Sequence, residues 1–249
     1  MDRHLNRLYE KSELWFALFW IILYCVSNSV TNLLSDAIGI NSAVTFVWNV
    51  LLTLLLLRWL KENRLLETYG LCRPHVPAAW FLWYVPLAVI VSRNLWLGAA
   101  VNLPAVDTVC YLGSMLCVGF LEEVVFRGFL FKAIAKDDLK TAIIVSSVTF
   151  GVGHIMNLFN GSGMDLLANL CQIVGAIMMG FLFVVLFCRG GSLWPCIIAH
   201  AVNNMLSAFA NESAWTAEKQ MLFAAIHAVI VAAYTLMLWK TLPKTASNR

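Results

Sequence analysis

Apolar runs of about 20 residues, each long enough to cross a hydrocarbon layer, follow one another along this chain with only short polar breaks between them. No other feature limits the fold so strictly. A segment of this kind in lipid has to satisfy its backbone hydrogen bonds internally, so it folds as a helix or as part of a closed barrel. These runs are twice the length of a barrel strand and are not alternating, which leaves helices. Composition agrees: 61% of the 249 residues are hydrophobic and only 12% charged, about half the charge of a soluble domain.

Eight spans are expected, near 14–34, 43–60, 78–92, 107–132, 141–158, 166–187, 193–209 and 221–240. The third is short and its limits are the least defined. No repeat, low-complexity stretch or linker divides the chain, so residues 1–249 are read as a single all-α transmembrane domain. Arg3, Arg7 and Lys11 precede the first apolar run, as in a signal peptide. No small-x-small cleavage site follows Val26, however, and the first helix is expected to be retained.

With the N-terminus inside, eight spans put every Lys and Arg on the cytoplasmic side except Arg93 and Lys219. Both termini are therefore expected in the cytoplasm, and the chain in the cell membrane as a multi-pass protein. A net charge of +3 without a basic stripe argues against a nucleic-acid partner. The expected partners are membrane lipid and a membrane-associated peptide or protein. Seven cysteines form no CxxC pair and signal neither a zinc knuckle nor a redox motif.

Ionisable residues inside spans are costly and mark function. Glu122, Glu123, Arg127, His154 and His200 stand out, joined by the amide of Asn204. Glu123 and Arg127 are four apart, about 40° around a helix, and can pair. Glu122 points roughly 140° away from Arg127 and has no partner on its own helix. One carboxylate thus reads as structural and its neighbour as chemical. Gly151 and Gly153 before His154 would let another helix approach. His200 and Asn204 share a helix face. Taken singly, these could be an interfacial helix end, a packing histidine and an interhelical hydrogen-bond pair. Measured by helical rise from the basic span ends, however, Glu122, His154, His200 and Asn204 fall into one slab, between mid-bilayer and its cytoplasmic half.

A carboxylate and an imidazole on one water can deprotonate it and later protonate a leaving amine. A second imidazole and a carboxamide can donate to an oxyanion. That is equipment for hydrolysing a peptide bond. No serine or cysteine sits in a nucleophile elbow and H-E-x-x-H is absent, but Glu122, His154 and His200 could alternatively hold zinc with one open position.

The motifs Glu122-Glu123-x-x-x-Arg127, Phe150-x-x-x-His154 and His200-x-x-x-Asn204, with flanks EEVVFRGFL and SLWPCIIAHAVNN, resemble those of the CPBP family of CAAX prenyl endopeptidases and bacteriocin-processing or self-immunity proteins. Tyr69-Gly70-Leu71 is a weaker echo. The motifs cover about 120–204, within a core of about 107–209, and this short chain looks similar to the bacterial branch. The resemblance implies an eight-helix fold with its site open to the cytoplasm. Glu122 and His154 would then activate water, His200 and Asn204 would stabilise the oxyanion, and Glu123 and Arg127 would support the geometry. No cofactor is implied, with catalytic zinc as the alternative. Two competing readings are a non-catalytic immunity or scaffold protein and a small proton-relay transporter, the latter lowered because no inverted repeat is visible.

Overall fold

The computed structural model describes residues 2–75, 84–159 and 166–241. Within them, a lone antiparallel bridge between Ala99 and Ala210 is the only β-type pairing, and the fold is all-α. A polar amphipathic helix α1 (Asp2–Lys11) leads into α2 (Glu13–Ile38), capped by the Ser12 hydroxyl on the Trp15 amide. α3 (Ala43–Glu62) follows, then a short α4 (Val85–Val91) that tightens into a 3-10 turn at Ser92–Leu95. α5 (Ala105–Glu123) continues through a π-helical turn, Val124–Leu130, into α6 (Phe131–Ala135). α7 (Leu139–Gly153), α8 (Leu166–Gly190), α9 (Trp194–Ser207) and α10 (Ala217–Lys240) complete the bundle.

Six of these segments are long and apolar enough to cross a membrane: 13–38, 43–62, 105–135, 139–158, 166–190 and 218–240. The remaining two expected spans are shorter than a bilayer among the described residues. Val85–Leu95 stands for the third, whose residues 78–83 lie outside the described part, and the 14-residue α9 stands for the seventh. Lys244 and Arg249 also lie outside it.

Contacts define two ends of the bundle. At one, Glu13 pairs with Lys136, Asn6 accepts from the Trp59 indole at 2.7 Å, and Arg189 donates to Thr241. This is the basic end, where Lys11, Lys61, Lys136, Lys140 and Lys240 also finish or begin their helices. An aromatic layer closes it. Phe16 stacks on Trp59 at 4.6 Å, Tyr9 meets Phe16 at 5.3 Å, and Tyr69 meets Phe129 at 4.8 Å. Tyr69-Gly70-Leu71 belongs here: the Tyr69 hydroxyl donates to Tyr9 at 3.0 Å, and Gly70, at φ +74°, accepts from the Leu193 amide. A Cβ on Gly70 would lie 2.3 Å from the Phe187 ring, so both φ and space require glycine. At the opposite end the Asn41 amide donates to Asp107, the Tyr111 hydroxyl bonds Ser207 at 2.7 Å, and the 99–102 strap pairs with residues after α9.

Close helix contacts bring the motif residues together. A Cβ on Gly119 would lie 2.8 Å from the Ala201 amide nitrogen, so α5 and α9 touch backbone to backbone. Gly151 meets the Ile177 backbone in the same way and docks α7 on α8, whereas a Cβ on Gly153 would find open space. Gly151 is therefore the packing glycine, and Gly153 lines a cavity.

Candidate active site

Glu123 and Arg127 are completely buried and paired at 3.0 Å across the first turn of the π-helical segment. A π-turn here widens the helix where its polar cluster sits, an arrangement frequent at functional sites. The Arg127 guanidinium lies 3.9 Å above the Phe150 ring and 5.5 Å from that of Phe183, while its Nε and Nη2 make no hydrogen bond. One carboxylate and two aromatic faces thus replace its hydration, and a desolvated cation–π contact is worth about 2 kcal/mol. Phe150, first of the Phe-x-x-x-His motif, also packs on His154 at 5.3 Å and His200 at 5.6 Å. It is the platform on which the cluster is assembled.

Arg127 marks the paired Glu123 as an ionised acceptor, so His200 Nδ1, 2.8 Å from Glu123 Oε1, is the donor in that contact. His200 Nε2 then points toward Glu122 Oε2 across 3.6 Å, too far for a direct hydrogen bond. His154 Nδ1 lies 3.2 Å from the Phe150 carbonyl, which can only accept, so Nε2 keeps its lone pair. The Asn204 carbonyl oxygen accepts from the Asn203 amide at 3.2 Å, leaving the Asn204 NH2 group free to donate.

Glu122 has a partner the sequence reading missed. The buried Tyr24 hydroxyl, from α2, donates to Glu122 Oε1 at 2.7 Å, while Oε2 is buried without any hydrogen bond. A signal for it existed. Tyr24, Asn28, Asn32 and Ser35 follow one another at helical spacing through an otherwise apolar span, a polar stripe that needs something to face. Likewise, the Asn49 amide donates to Ser114 at 3.2 Å between α3 and α5.

Glu122, His154 and Asn204 line one cavity of about 450 Å³, walled by Tyr24, Asn28, Asn157 and Gln172. A second cavity of similar volume, more apolar, adjoins it between α8 and α10 and includes His200, Met179 and Ala224 on its wall. Phe150, His154, Asn203 and Asn204 border both. The structure thus brings Glu122, His154 and Asn204 to one cavity, puts His200 on the wall of the adjoining one, and sets the fully buried Glu123 and Arg127 behind them.

Two features add to what the sequence predicts. Helical rise measured from the basic ends placed these groups in the half of the bilayer nearer those ends. His154 sits directly after the last residue of α7, inside the 139–158 segment, and Asn204 one turn before the end of α9. Both helices are short, so a rise of about 20 Å from the basic end already reaches their far termini. Glu122, in contrast, lies past the middle of the 105–135 segment toward its basic end, so the cavity extends from there to the far termini of α7 and α9. Also, His200 is held by Glu123 at 2.8 Å and faces Glu122 across 3.6 Å.

The zinc alternative meets a geometric test. Among the described residues, no three His, Cys, Asp or Glu side chains converge as a metal-binding set. One oxygen of Glu122 and one nitrogen of His200 are already engaged by Tyr24 and Glu123.

Comparison with known families bears on this cluster directly. Residues 104–206 match the family model described as type II CAAX prenyl endopeptidase Rce1-like. This stretch belongs to the CAAX prenyl endopeptidase family. The matched region contains all of Glu122, Glu123, Arg127, Phe150, His154, His200 and Asn204, while Tyr24 lies outside it. No curated protein and no solved structure matches the chain.

Proposed function

We propose that the chain is an endopeptidase of the cell membrane that hydrolyses a peptide bond of a membrane-associated peptide or protein by activated water. The observation that carries this reading is Glu122. One of its oxygens is anchored by Tyr24, and the other is buried and unbonded, 3.6 Å from His200, in a cavity of about 450 Å³ that His154 also lines. A buried carboxylate oxygen without a partner is costly for a structural role and suited to gripping a transient water.

In this mechanism water bound between Glu122 Oε2 and the His154 Nε2 lone pair attacks the scissile carbonyl. Its proton passes to Glu122 and then to the leaving amine. The Asn204 NH2 group donates to the oxyanion. His200 can add a second donor through Nε2 only when both its nitrogens carry protons, flanked by the carboxylates of Glu122 and Glu123. Arg127 and Phe150 hold Glu123, Glu123 orients His200, and no step requires a metal. The adjoining apolar cavity suits a hydrophobic side chain or lipid chain of the substrate.

The test compares wild type with Glu122→Gln on a library of membrane-tethered peptides. Cleavage should vanish while yield and thermal stability stay near wild type, because the amide keeps the carboxylate's shape. Substantial turnover by Glu122→Gln would remove Glu122 as the base. Absence of cleavage by the wild type across the library would favour a non-catalytic immunity or scaffold role.

A further inference from the structure

The more apolar cavity carries a charge pattern that water activation does not use. Arg93, His154, His200 and His227 lie on its wall, three of the chain's five histidines among them, and no Asp or Glu does. His200 is answered by Glu122 and Glu123, and His227 donates from Nε2 to the Ile90 carbonyl at 3.3 Å. Arg93 differs. Among the described residues it takes part in no ion pair, and it is the one Lys or Arg bordering either cavity. A cation partly buried in an apolar bundle is costly unless something answers its charge. Arg127, buried deeper, has Glu123 at 3.0 Å.

The turn that carries Arg93 is held in place. The Asn94 side-chain amide donates to the Asn203 carbonyl at 2.8 Å, and the Asn203 side-chain amide in turn donates to Asn204 at 3.2 Å. On its other side the Trp96 indole donates to Ser92 at 3.1 Å, while its rings pack on Phe223 at 5.9 Å and His227 at 6.2 Å. Arg93 is thereby fixed relative to the amide assigned to the oxyanion, on the border between the two cavities.

We propose that Arg93 is a binding residue for a carboxylate of the peptide substrate, which it holds while Glu122 and Asn204 address the scissile bond. The planar guanidinium fork can donate to both carboxylate oxygens at once. The wall offers one permanent positive charge, which matches a monoanion and leaves a polyanion unbalanced. The carboxylate is either the substrate's own C-terminus or an Asp or Glu side chain near the cleaved bond. Its place in a substrate rests on the proteolytic reading, whereas carboxylate binding itself needs no cleavage.

Binding is therefore measured first, on the Glu122→Gln chain so that no peptide is consumed. Fluorescent single-span peptides with a varied polar segment are titrated in matched forms. One pair has the C-terminus free or amidated, with neutral side chains. The other is amidated throughout and sets Asp or Glu against Asn or Gln. At least one pair should show the carboxylate form bound about 10–100-fold tighter, the worth of a charge-assisted hydrogen bond, and which pair it is identifies the source. Adding Arg93→Gln should erase that preference and leave the Kd of the uncharged peptides unchanged, which also shows that the variant is folded. Arg93→Lys should keep part of the preference. No preference in the parent chain, or a preference that survives Arg93→Gln, overturns the proposal. Loss of charged and uncharged peptides alike in Arg93→Gln marks a structural arginine and overturns it as well. In the wild type, the difference between the paired peptides should appear in KM rather than in kcat. If the binding preference holds but the wild type cuts no peptide, the proteolytic reading fails while the carboxylate site stands.

Discussion

Tyr24 decides which oxygen of Glu122 is free. Its hydroxyl fixes Oε1 at 2.7 Å from a helix outside the family match, leaving Oε2 to the chamber. Tyr24→Phe removes one hydrogen bond and almost no volume. The rate constant should fall about tenfold, the equivalent of about 1.4 kcal/mol, with KM and melting temperature little changed. Steady-state kinetics on purified protein distinguish this from a packing role, which would lower stability instead. Asn204→Ala should lower kcat by about 10²–10³ with little effect on KM, as for loss of one oxyanion donor. Glu123→Ala strands both Arg127 and His200, and should destabilise by about 3–5 kcal/mol as well as reduce activity. Dialysis against a strong chelator should leave activity intact with well under one zinc per chain. Loss on chelation and recovery with zinc would replace the water-activation scheme. The motif residues were legible because an ionisable group in an apolar run is conspicuous in one dimension. Tyr24 was not, since a tyrosine inside an apolar span is ordinary until its neighbour on another helix is known.

At the level of elements, the ion pair of Glu123 and Arg127 followed from their spacing, but the π-turn that holds them did not. It needs an extra residue per turn, which hydrophobic periodicity cannot register in a segment apolar on every side. The glycines were half legible. Gly151 docks α7 on α8 as expected, while Gly119, the residue that lets α5 touch α9, lies in a run with nothing to distinguish it. Gly119→Val should part these helices and cost both folding yield and activity. α7 begins on Asp138, whose carboxylate accepts from the Thr141 hydroxyl and from the Lys140 and Thr141 amides. Those bonds, chiefly that of the Thr141 hydroxyl, hold its carboxyl below the usual range. A lowered folded value means the stabilisation is complete above the unfolded pKa, near 4, and disappears as pH falls through the folded one. The melting temperature of Asp138→Ala should therefore lie below that of wild type at pH 7, and the gap should close as the medium is acidified below about pH 4.

For the whole molecule, hydropathy located all six long helices to within a few residues, because their length is dictated by the bilayer. It was less informative about α9 and Val85–Leu95, whose short lengths depend on what packs around them. Reporter fusions after Lys61 and Lys136 should read cytoplasmic and one near Ser213 non-cytoplasmic. The opposite pattern would invert the assignment of the two ends. The extent of the cavity was beyond the sequence, since it depends on where short helices stop rather than on where apolar runs begin.

The aromatic layer at the basic end has an electrical consequence. Water admitted to the cavity as far as Glu122 would conduct, so that the cavity would carry little of a membrane voltage and the drop would concentrate across the insulating slab of rings beneath it. A full crossing costs a unit charge about 2.3 kcal/mol per 100 mV. A proton exchanged between Glu122 and the water above it traverses almost none of that field. Turnover in energised vesicles should therefore be unaffected when an ionophore abolishes the potential, the rings acting as the insulator that keeps a buried acid at the potential of the water that reaches it.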